Sequence, residues 1–361
     1  MNPTTSSDDD DDDDRAALFE LPPGADPTID WGLASHLHPD GSPRIIERHL
    51  IVRDDFAGLR LDHFVKTQIE RLSRTKIQQV IAEQLTRSDG HRLKPATIVA
   101  AGEHYLIRRV AKPEPPCPRT FGVVHASARV YIVDKPAHLP VHASAKFYFN
   151  TLTRVMSERW PDEPELQLCH RLDRETSGCL VVARDREAAS ILKQAFEKKT
   201  AVTKEYLAIV HGSPPAAWDA GAVIQVPMRI SQPGDATKLP HVRMIPGPGG
   251  QEAVTRVRIE RRGTDYTLVR CTLITGRQHQ IRLHLADAGF PIVGDKLYAH
   301  GDDAFMTFCD RGLTPELAAR FVLPRHALHA AHVVIPDPDD KTRAIAASAP
   351  LPADMVALLS T

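Results

Sequence analysis

The stretch that says most about this chain is His170-Arg171-Leu172-Asp173-Arg174-Glu175-Thr176-Ser177-Gly178, which runs straight into the apolar residues 179–182. The pattern predicts a polar loop followed by a buried strand. Asp173 stands between Arg171 and Arg174, and neighbouring cations keep a carboxylate ionised at neutral pH. An ionised aspartate can act as a nucleophile or a base. From spacing alone, a structural ion pair in a loop is the more common interpretation.

Short apolar or alternating runs recur around this loop with few helical segments between them. They predict strands at residues 130–133, 179–182, 206–210 and 266–273. We therefore expect a mixed α+β domain, built on a largely antiparallel sheet, at residues 113–361. The prolines of its first six residues would make a stiff linker.

The region before the linker predicts a second, smaller α+β domain at residues 44–112. Apolar residues recur at helical spacing between positions 59 and 85. The pattern breaks at Leu72-Ser73-Arg74, where Ser73 can cap a second helix. A turn at Asp89-Gly90 and a strand that ends in residues 105–107 follow.

This small domain carries an excess of positive charge. Residues 44–109 contain 13 Lys or Arg and eight Asp or Glu. Arg71, Arg74 and Lys76 crowd the junction of the two predicted helices, where side chains and helix N-terminal amides can hold RNA phosphates. Ordinary solvated charges would give the same composition.

The net charge of the whole chain hides this excess. The formal charge of the 361 residues is -1, but without the seven aspartates at residues 8–14 it would be +6. Such a block of like charges repels itself, and its surroundings lack periodicity. We therefore expect residues 1–43 to form a mostly disordered acidic tail. Shielding of the basic surface by mimicry of RNA is an alternative role for it.

Several classes of protein are disfavoured. No apolar stretch reaches the roughly 18 residues that span a bilayer, and no secretion signal opens the chain, so we expect a soluble, cytoplasmic protein. The five cysteines contain no C-x-x-C pair, as expected of reduced thiols. His326, His329 and His332 fall in a strand-like segment where residues three apart face opposite sides, so a shared metal site is not expected. No dinucleotide fingerprint or phosphate loop is present, and we expect no cofactor.

The motif at residues 170–178 resembles the signature His-Arg-Leu-Asp-x-x-Thr-Ser-Gly of the RluA type of pseudouridine synthases. The resemblance implies an enzyme that isomerises uridine to pseudouridine within RNA, with Asp173 as its essential catalytic residue. Residues 131–136 resemble the Lys-Pro motif that opens this family's domain, although His138 stands where the family usually has glycine. The Lys-x-Tyr segment of the family matches Tyr206, which would stack on the target base.

Downstream, residues 276–282 read Gly-Arg-Gln-His-Gln-Ile-Arg and resemble the family's third motif. The resemblance implies that Arg282 pairs with the catalytic aspartate. A helix that begins after the turn at Gly276 would place His279 and Arg282 one turn apart on the same face. Arg277 is expected to contact phosphate or to form a structural ion pair.

Residues 44–109 resemble the small RNA-binding domain of the ribosomal protein S-four type. The resemblance rests on Leu59-Arg60-Leu61-Asp62, on residues 72–78 and on Leu93-Lys94-Pro95, whereas the usual short strand after the second helix is replaced by residues 85–90. Both resemblances imply RNA as the partner, with large-subunit ribosomal RNA favoured over transfer RNA.

The implied reaction starts when the target uridine leaves its stack and enters a pocket. Arg171 or Arg174 would fill the vacated space or hold a phosphate. Asp173 would assist cleavage of the bond between ribose and N1, after which the uracil rotates and C5 joins the ribose. Two other functions stay open: an RNA-binding protein without catalysis, and a hydrolase or lyase that acts on a nucleoside or nucleotide.

Overall fold

A computed structural model of the chain describes residues 31–32, 36–38, 40–69, 72–91, 93–143, 147–198, 201–340 and 342–360. The chain divides into two compact units, Ala34–Glu114 and a larger unit that includes Pro115–Thr361 together with Trp31 and Gly32. The aspartates at residues 8–14 and the side chain of Arg71 lie outside the described residues.

Eight α-helices are present in the described parts of the chain: α1 (Leu61–Gln68), α2 (Arg74–Glu83), α3 (Leu152–Arg159), α4 (Arg186–Lys198), α5 (Gln280–Asp287), α6 (Gly301–Arg311), α7 (Pro315–Phe321) and α8 (Ala353–Leu358). Among them, none is both long and apolar enough to cross a membrane.

The strands assigned within these residues are β1 (Trp31–Gly32), β2 (Ile45–Ile51), β3 (Leu85–Arg87), β4 (His104–Val110), β5 (Cys117–Pro118), β6 (Gly122–Ala126), β7 (Val130–Lys135), β8 (Gln167–Leu168), β9 (Ser177–Ala183), β10 (Thr203–His211), β11 (Ala222–Gln225), β12 (Met228–Ile230), β13 (Met244–Pro246), β14 (Val254–Arg262), β15 (Tyr266–Leu273), β16 (Leu328–Pro336) and β17 (Ala344–Ser348).

The small unit packs two helices on an antiparallel sheet of order β2-β4-β3. Leu61 and Phe64 of α1, Ile77 of α2 and Tyr105 of β4 are almost fully buried in its core. The predicted cap is present, since the Ser73 hydroxyl accepts a hydrogen bond from the Lys76 amide at 3.3 Å. The sequence therefore predicted both helices of this unit, because their signals are local.

Ordered structure begins earlier than the sequence predicted. Trp31–Gly32 pairs with Cys117–Pro118, and an isolated bridge joins Leu37 to Pro43 within the predicted acidic tail. The expected disorder of residues 1–43 therefore does not extend to these positions. The partner of Trp31–Gly32 is remote in sequence, so no local pattern reveals this pairing.

The large unit is built on a sheet of ten described strands. Its main path is β11-β14-β15-β10-β16-β9-β7-β6, with β17 paired to β16 and β8 to β9. Only the β9–β16 pair among these is parallel. The four predicted strands lie within β7, β9, β10 and β15. The predicted mixed α+β fold with a largely antiparallel sheet is confirmed.

The central strand β9 leads directly out of the loop that carries Asp173. All seven of its residues are buried, as its continuous apolar sequence predicted. At Gly178 the φ angle is 107°, and a side chain would collide with the carbonyl oxygen of Ala330 on β16. Because only glycine tolerates this approach, the motif glycine brings the loop onto the middle of the sheet.

Alternate side chains of the central strands pack into two apolar layers. Val181 packs in the layer covered by α4, whereas Leu180 and Val182 pack in the main core with residues of α3, α5 and α8. Burial of one such side chain stabilises the fold by about 1.5–3 kcal/mol. The sheet is thus a rigid base for the loops at its edge.

Candidate active site

The loop that carries Asp173 is anchored by buried hydrogen bonds at its end. The Thr176 hydroxyl lies 2.7 Å from Nε2 of His326, and the Ser177 hydroxyl lies 2.9 Å from Nδ1 of His329. All four of these side chains are buried. Asp173 therefore projects from a turn that is fixed to β16.

Two buried lysines tie further segments to the same loop. Nζ of Lys135, in the Lys-Pro segment, donates to the Arg174 carbonyl at 3.1 Å and to two carbonyls of its own segment. Burial lowers the pKa of Lys135 to about 7. Lys296 lies 2.8 and 2.9 Å from the two carboxylate oxygens of Glu175. Burial raises the pKa of Glu175, but the charges of Lys296, Arg174 and the nearby histidines together hold that pKa well below its usual range.

The turn after Lys135 keeps a glycine-like geometry despite its histidine. His138 adopts a left-handed backbone with φ 65°, which costs a non-glycine residue about 1–2 kcal/mol. Its ring lies 5.5 Å from the ring of Trp31, measured between centroids. The backbone at His138 therefore has the left-handed conformation that favours glycine.

Asp173 forms an ion pair with Arg282, as the family resemblance implies. Nη1 of Arg282 lies 2.9 Å from Oδ2 of Asp173, and the two side chains are 9% and 25% exposed. Burial raises the pKa of Asp173, but the nearby His279 and Arg282 lower it to about 2. Burial itself lowers the pKa of His279 to about 4, so its ring is neutral at pH 7 and Arg282 is the cation that persists there. The spacing in the loop had pointed to Arg171 and Arg174 as the cations that keep Asp173 ionised, whereas the family resemblance had pointed to Arg282.

Arg282 is held from its other side by a residue to which the sequence assigned no role. Nε and Nη2 of Arg282 donate to the two carboxylate oxygens of Asp295 at 2.6 and 2.9 Å. Asp295 is fully buried, and it also accepts the backbone N–H groups of Leu297 and Tyr298 at 3.0 Å each. In the sequence Asp295 directly follows an apolar run, within residues 289–298 that resemble the family, but its burial was not apparent there.

The backbone around His279 differs from the prediction. Helix α5 begins at Gln280, and His279 precedes it with a left-handed φ of 56°. The Gln280 side chain bonds to the preceding turn and closes it before the helix starts, so His279 and Arg282 do not share a helix face. Nε2 of His279 nevertheless lies 3.8 Å from Oδ2 of Asp173, and its Nδ1 lies 3.1 Å from the hydroxyl of Tyr298.

Tyr206 lies two strands away from the start of β9. It pairs with Ala330 of β16, and Ala330 pairs on its other side with Gly178. Tyr206 is 7% exposed. Burial raises its pKa, and the charge of Asp173 raises it further, so the phenol is protonated at neutral pH. The structure thus brings Tyr206 into the electrostatic neighbourhood of Asp173.

The other predicted substrate contacts lie in more open positions. Arg171 is exposed in the loop. Arg174 donates to Glu175 at 3.2 Å and lies over the ring of Phe147 at 5.7 Å. Arg277 donates to a backbone carbonyl of the neighbouring loop.

In the small unit, the predicted RNA contacts occupy the start of α2. Arg74 is exposed and Lys76 half-buried. Both belong to a different compact unit from Asp173.

The site thus combines a carboxylate held by a buried arginine with a buried tyrosine, all carried by one mixed sheet. The family model described as RNA pseudouridylate synthase matches residues 129–287. The ribosomal large subunit pseudouridine synthase D of Xanthomonas campestris pv. campestris is 32% identical over 87% of this chain and 92% of its own length. The ribosomal large subunit pseudouridine synthase C of Escherichia coli strain K12 is 33% identical over 77% of this chain and 85% of its own.

A solved structure agrees with these relatives. Human RNA pseudouridylate synthase domain containing 4 superimposes with a TM-score of 0.50 at 27% identity, over 65% of this chain and 90% of that protein. This chain belongs to the RNA pseudouridylate synthase family. It is therefore an isomerase whose substrate is RNA.

Proposed function

We propose that this enzyme forms pseudouridine in large-subunit ribosomal RNA, in the cytoplasm, with Asp173 as its catalytic carboxylate. The observation that carries the proposal is the 2.9 Å contact between Asp173 and the buried Arg282, which keeps one carboxylate ionised and oriented. The choice of RNA is supported by the relatives, since two of them are named for the large ribosomal subunit.

In the proposed reaction the target uridine leaves its stack, which costs a few kcal/mol, and its base stacks on Tyr206. Asp173 attacks either the ribose or the base, and the bond between N1 and C1′ of the ribose breaks. The uracil rotates, C5 forms a new bond to C1′, and the bond to Asp173 breaks so that the free carboxylate returns. C5 releases its proton and N1 gains one. Atoms and electrons balance without an oxidant, reductant or second substrate.

We further propose that residues 44–112 act as an S-four-like RNA-binding domain and residues 113–361 as the catalytic domain. Arg74 and Lys76 would hold phosphates at the start of α2, where helix amides add to the attraction. In the catalytic domain, substrate contacts would come from Arg171, Arg174, Arg277 and His279. Phosphate contacts of this kind give affinity without choosing the uridine.

The proposal is tested by mapping pseudouridine in total RNA through carbodiimide-dependent stops of reverse transcription. Cells that lack the protein are compared with cells rescued by the wild type or by Asp173→Asn. A large-subunit ribosomal site that only the wild type restores is the expected result. A lost site in transfer RNA would replace the proposed substrate, and an unchanged map would favour an RNA-binding protein without catalysis.

A further inference from the structure

The buried carboxylate of Asp295 is the strongest feature near the site that the proposed mechanism does not use. It is 0% exposed and forms a two-bond fork with Arg282, in which Nε meets Oδ2 at 2.6 Å and Nη2 meets Oδ1 at 2.9 Å. A bidentate pair of this kind fixes the plane of the guanidinium as well as its position. Arg282 therefore has one remaining nitrogen, Nη1, and that nitrogen contacts Asp173 at 2.9 Å.

Asp295 is also held by contacts with the backbone, independently of Arg282. Its Oδ1 accepts the backbone N–H groups of Leu297 and Tyr298. Gly294, just before it, has a φ of 76°, and a side chain there would collide with the carbonyl oxygen of Arg325. This close approach seats the segment against the chain that leads into β16.

The segment before Asp295 is also bonded to the strand that carries Tyr206. The Val293 amide donates to the Ile209 carbonyl of β10, and the Val293 carbonyl accepts from the Ala327 amide, both at 2.9 Å. Asp295 is therefore positioned by β10, which carries Tyr206, and by the segment that leads into β16.

The aromatic ring of Tyr298 lies against the Arg282 guanidinium. The Arg282 guanidinium carbon lies 5.2 Å from the ring centroid. The phenol oxygen accepts from the Met244 amide at 3.2 Å and lies 3.1 Å from Nδ1 of His279. A rotation of Arg282 away from Asp173 would break both bonds of the fork and leave the Asp295 carboxylate buried without a cation, which costs several kcal/mol in comparable sites.

We propose that Asp295 is a positioning residue for the isomerisation: it locks Arg282 so that the free Nη1 holds the Asp173 carboxylate in the orientation required for attack. The negative charge of Asp295 also offsets the positive charge of Arg282. The catalytic carboxylate is therefore hydrogen-bonded to Arg282 without being neutralised. The inference rests on the proposed role of Asp173. Asp295 would act on the substrate only indirectly, through Arg282 and Asp173.

The central test is Asp295→Asn in the full chain. The amide is isosteric, but its NH₂ faces a guanidinium N–H and one bond of the fork is lost. We expect kcat to fall about 100-fold, as for a comparable misplacement of a reacting group, while KM changes less than about threefold. Turnover is measured by tritium release from a transcript of large-subunit ribosomal RNA labelled at C5 of uridine.

Asp185→Asn is the matched control. Asp185 forms the same fork with Arg129, in which Nε meets Oδ2 at 2.9 Å and Nη2 meets Oδ1 at 2.8 Å. That pair lies beyond the Val130–Ala183 rung, at the end of β7 and β9 opposite the Lys135–Gly178 rung that adjoins the Asp173 loop. We expect this variant to keep kcat within about threefold of the wild type. An equal loss in both variants would show only the general cost of breaking such a fork, and it would overturn the proposal.

Arg282→Lys provides a second, independent measurement. A lysine keeps the charge but cannot donate in two directions from a fixed plane, so we expect a loss of kcat similar to that of Asp295→Asn. Because both substitutions break one coupled unit, the double variant should be no more than about threefold worse than the poorer single variant. Additive losses, or an Arg282→Lys enzyme with normal kcat, would overturn the proposal even if Asp295→Asn failed to fold.

Asp173→Asn, assayed in parallel, separates this inference from the function on which it rests. If Asp173→Asn is inactive and folded Asp295→Asn is fully active, only the positioning role is wrong. If Asp173→Asn keeps its activity on the transcript, the proposed catalytic role of Asp173 is wrong, and the positioning role falls with it.

Discussion

The charged groups of the two compact units are arranged in opposite ways. At the start of α2 in the small unit, Arg74 is exposed and Lys76 half-buried. In the large unit, Arg282 is 9% exposed and is held by two carboxylates. Two charges 4 Å apart interact with about 1 kcal/mol in water and about four times that near a protein surface.

This difference separates two physical tasks. Exposed cations exchange small ions for RNA phosphates, so they give affinity that salt weakens. Buried and fully bonded charges cannot reorient, so they hold a reacting group in one geometry. We therefore expect substitutions in the buried Asp173–Arg282 cluster to change turnover and substitutions at the start of α2 to change affinity.

The largest effect is expected from Asp173→Asn. Loss of the catalytic carboxylate should lower kcat about 1000-fold or more, because no other described carboxylate contacts Nη1 of Arg282. The dissociation constant for RNA, measured by filter binding, should stay within about threefold. A variant that loses affinity in proportion to its activity would contradict the separation of the two tasks.

Tyr206 offers a graded test of the predicted stacking. Tyr206→Ala should lower kcat/KM about 10- to 100-fold, since base stacking on an aromatic ring contributes about 1–3 kcal/mol. Tyr206→Phe keeps the ring and should lose less than about fivefold in the tritium-release assay. An equally severe loss in Tyr206→Phe would assign the chemistry to the hydroxyl instead.

Mild acid should destabilise the large unit more than the small one. Burial lowers the pKa of His326 to about 3 and that of His329 to about 4, against about 6.5 in the unfolded chain. Below pH 6.5 these two imidazoles are therefore protonated in the unfolded state but stay neutral in the folded state. The stabilisation present above pH 6.5 is lost as the pH falls. Between pH 6.5 and 5.5 we expect a loss of about 1 kcal/mol for each residue.

Hydrogen exchange of the full chain, followed by mass spectrometry at both pH values and corrected for intrinsic exchange rates, measures this effect unit by unit. The described histidines of the small unit are exposed or half-buried, so its β4 peptides serve as the internal control. Equal acid sensitivity of β4 and β16 would show that buried imidazoles are not responsible.

The smallest effect is expected from the double variant Arg74→Ala, Lys76→Ala. Removal of two phosphate contacts should weaken RNA binding about three- to tenfold at moderate salt. It should also reduce the slope of log K against log salt by about 2, with kcat at saturating RNA unchanged. Filter binding across a salt series measures both values. An unchanged slope would show that RNA does not contact this end of α2.

Features with local causes were predictable. The Ser73 cap follows from a short hydroxyl side chain before a helical pattern, and the strand at β9 follows from a continuous apolar run. The need for glycine at position 178 was visible as part of a motif, although its cause, the nearby carbonyl of Ala330, was not. The ion pair of Asp173 with Arg282 was predicted through family resemblance rather than from spacing.

The features that were missed depend on residues remote in sequence or on competition between side chains. The helix predicted after Gly276 starts at Gln280 because the Gln280 side chain bonds to the turn before it, which leaves His279 in a left-handed conformation. Trp31–Gly32 became a strand only through Cys117–Pro118. Propensity scales average over such contacts and cannot anticipate them.

By itself the sequence determined the alternation of strands and helices, the excess of cations on the small unit and the residue types available for chemistry, since each of these depends on neighbours along the chain. Only the tertiary structure decided that Arg282 is shared between Asp173 and Asp295. Which ions meet in a folded protein depends on the register of distant strands and on the exclusion of water, and neither is a property of any short segment.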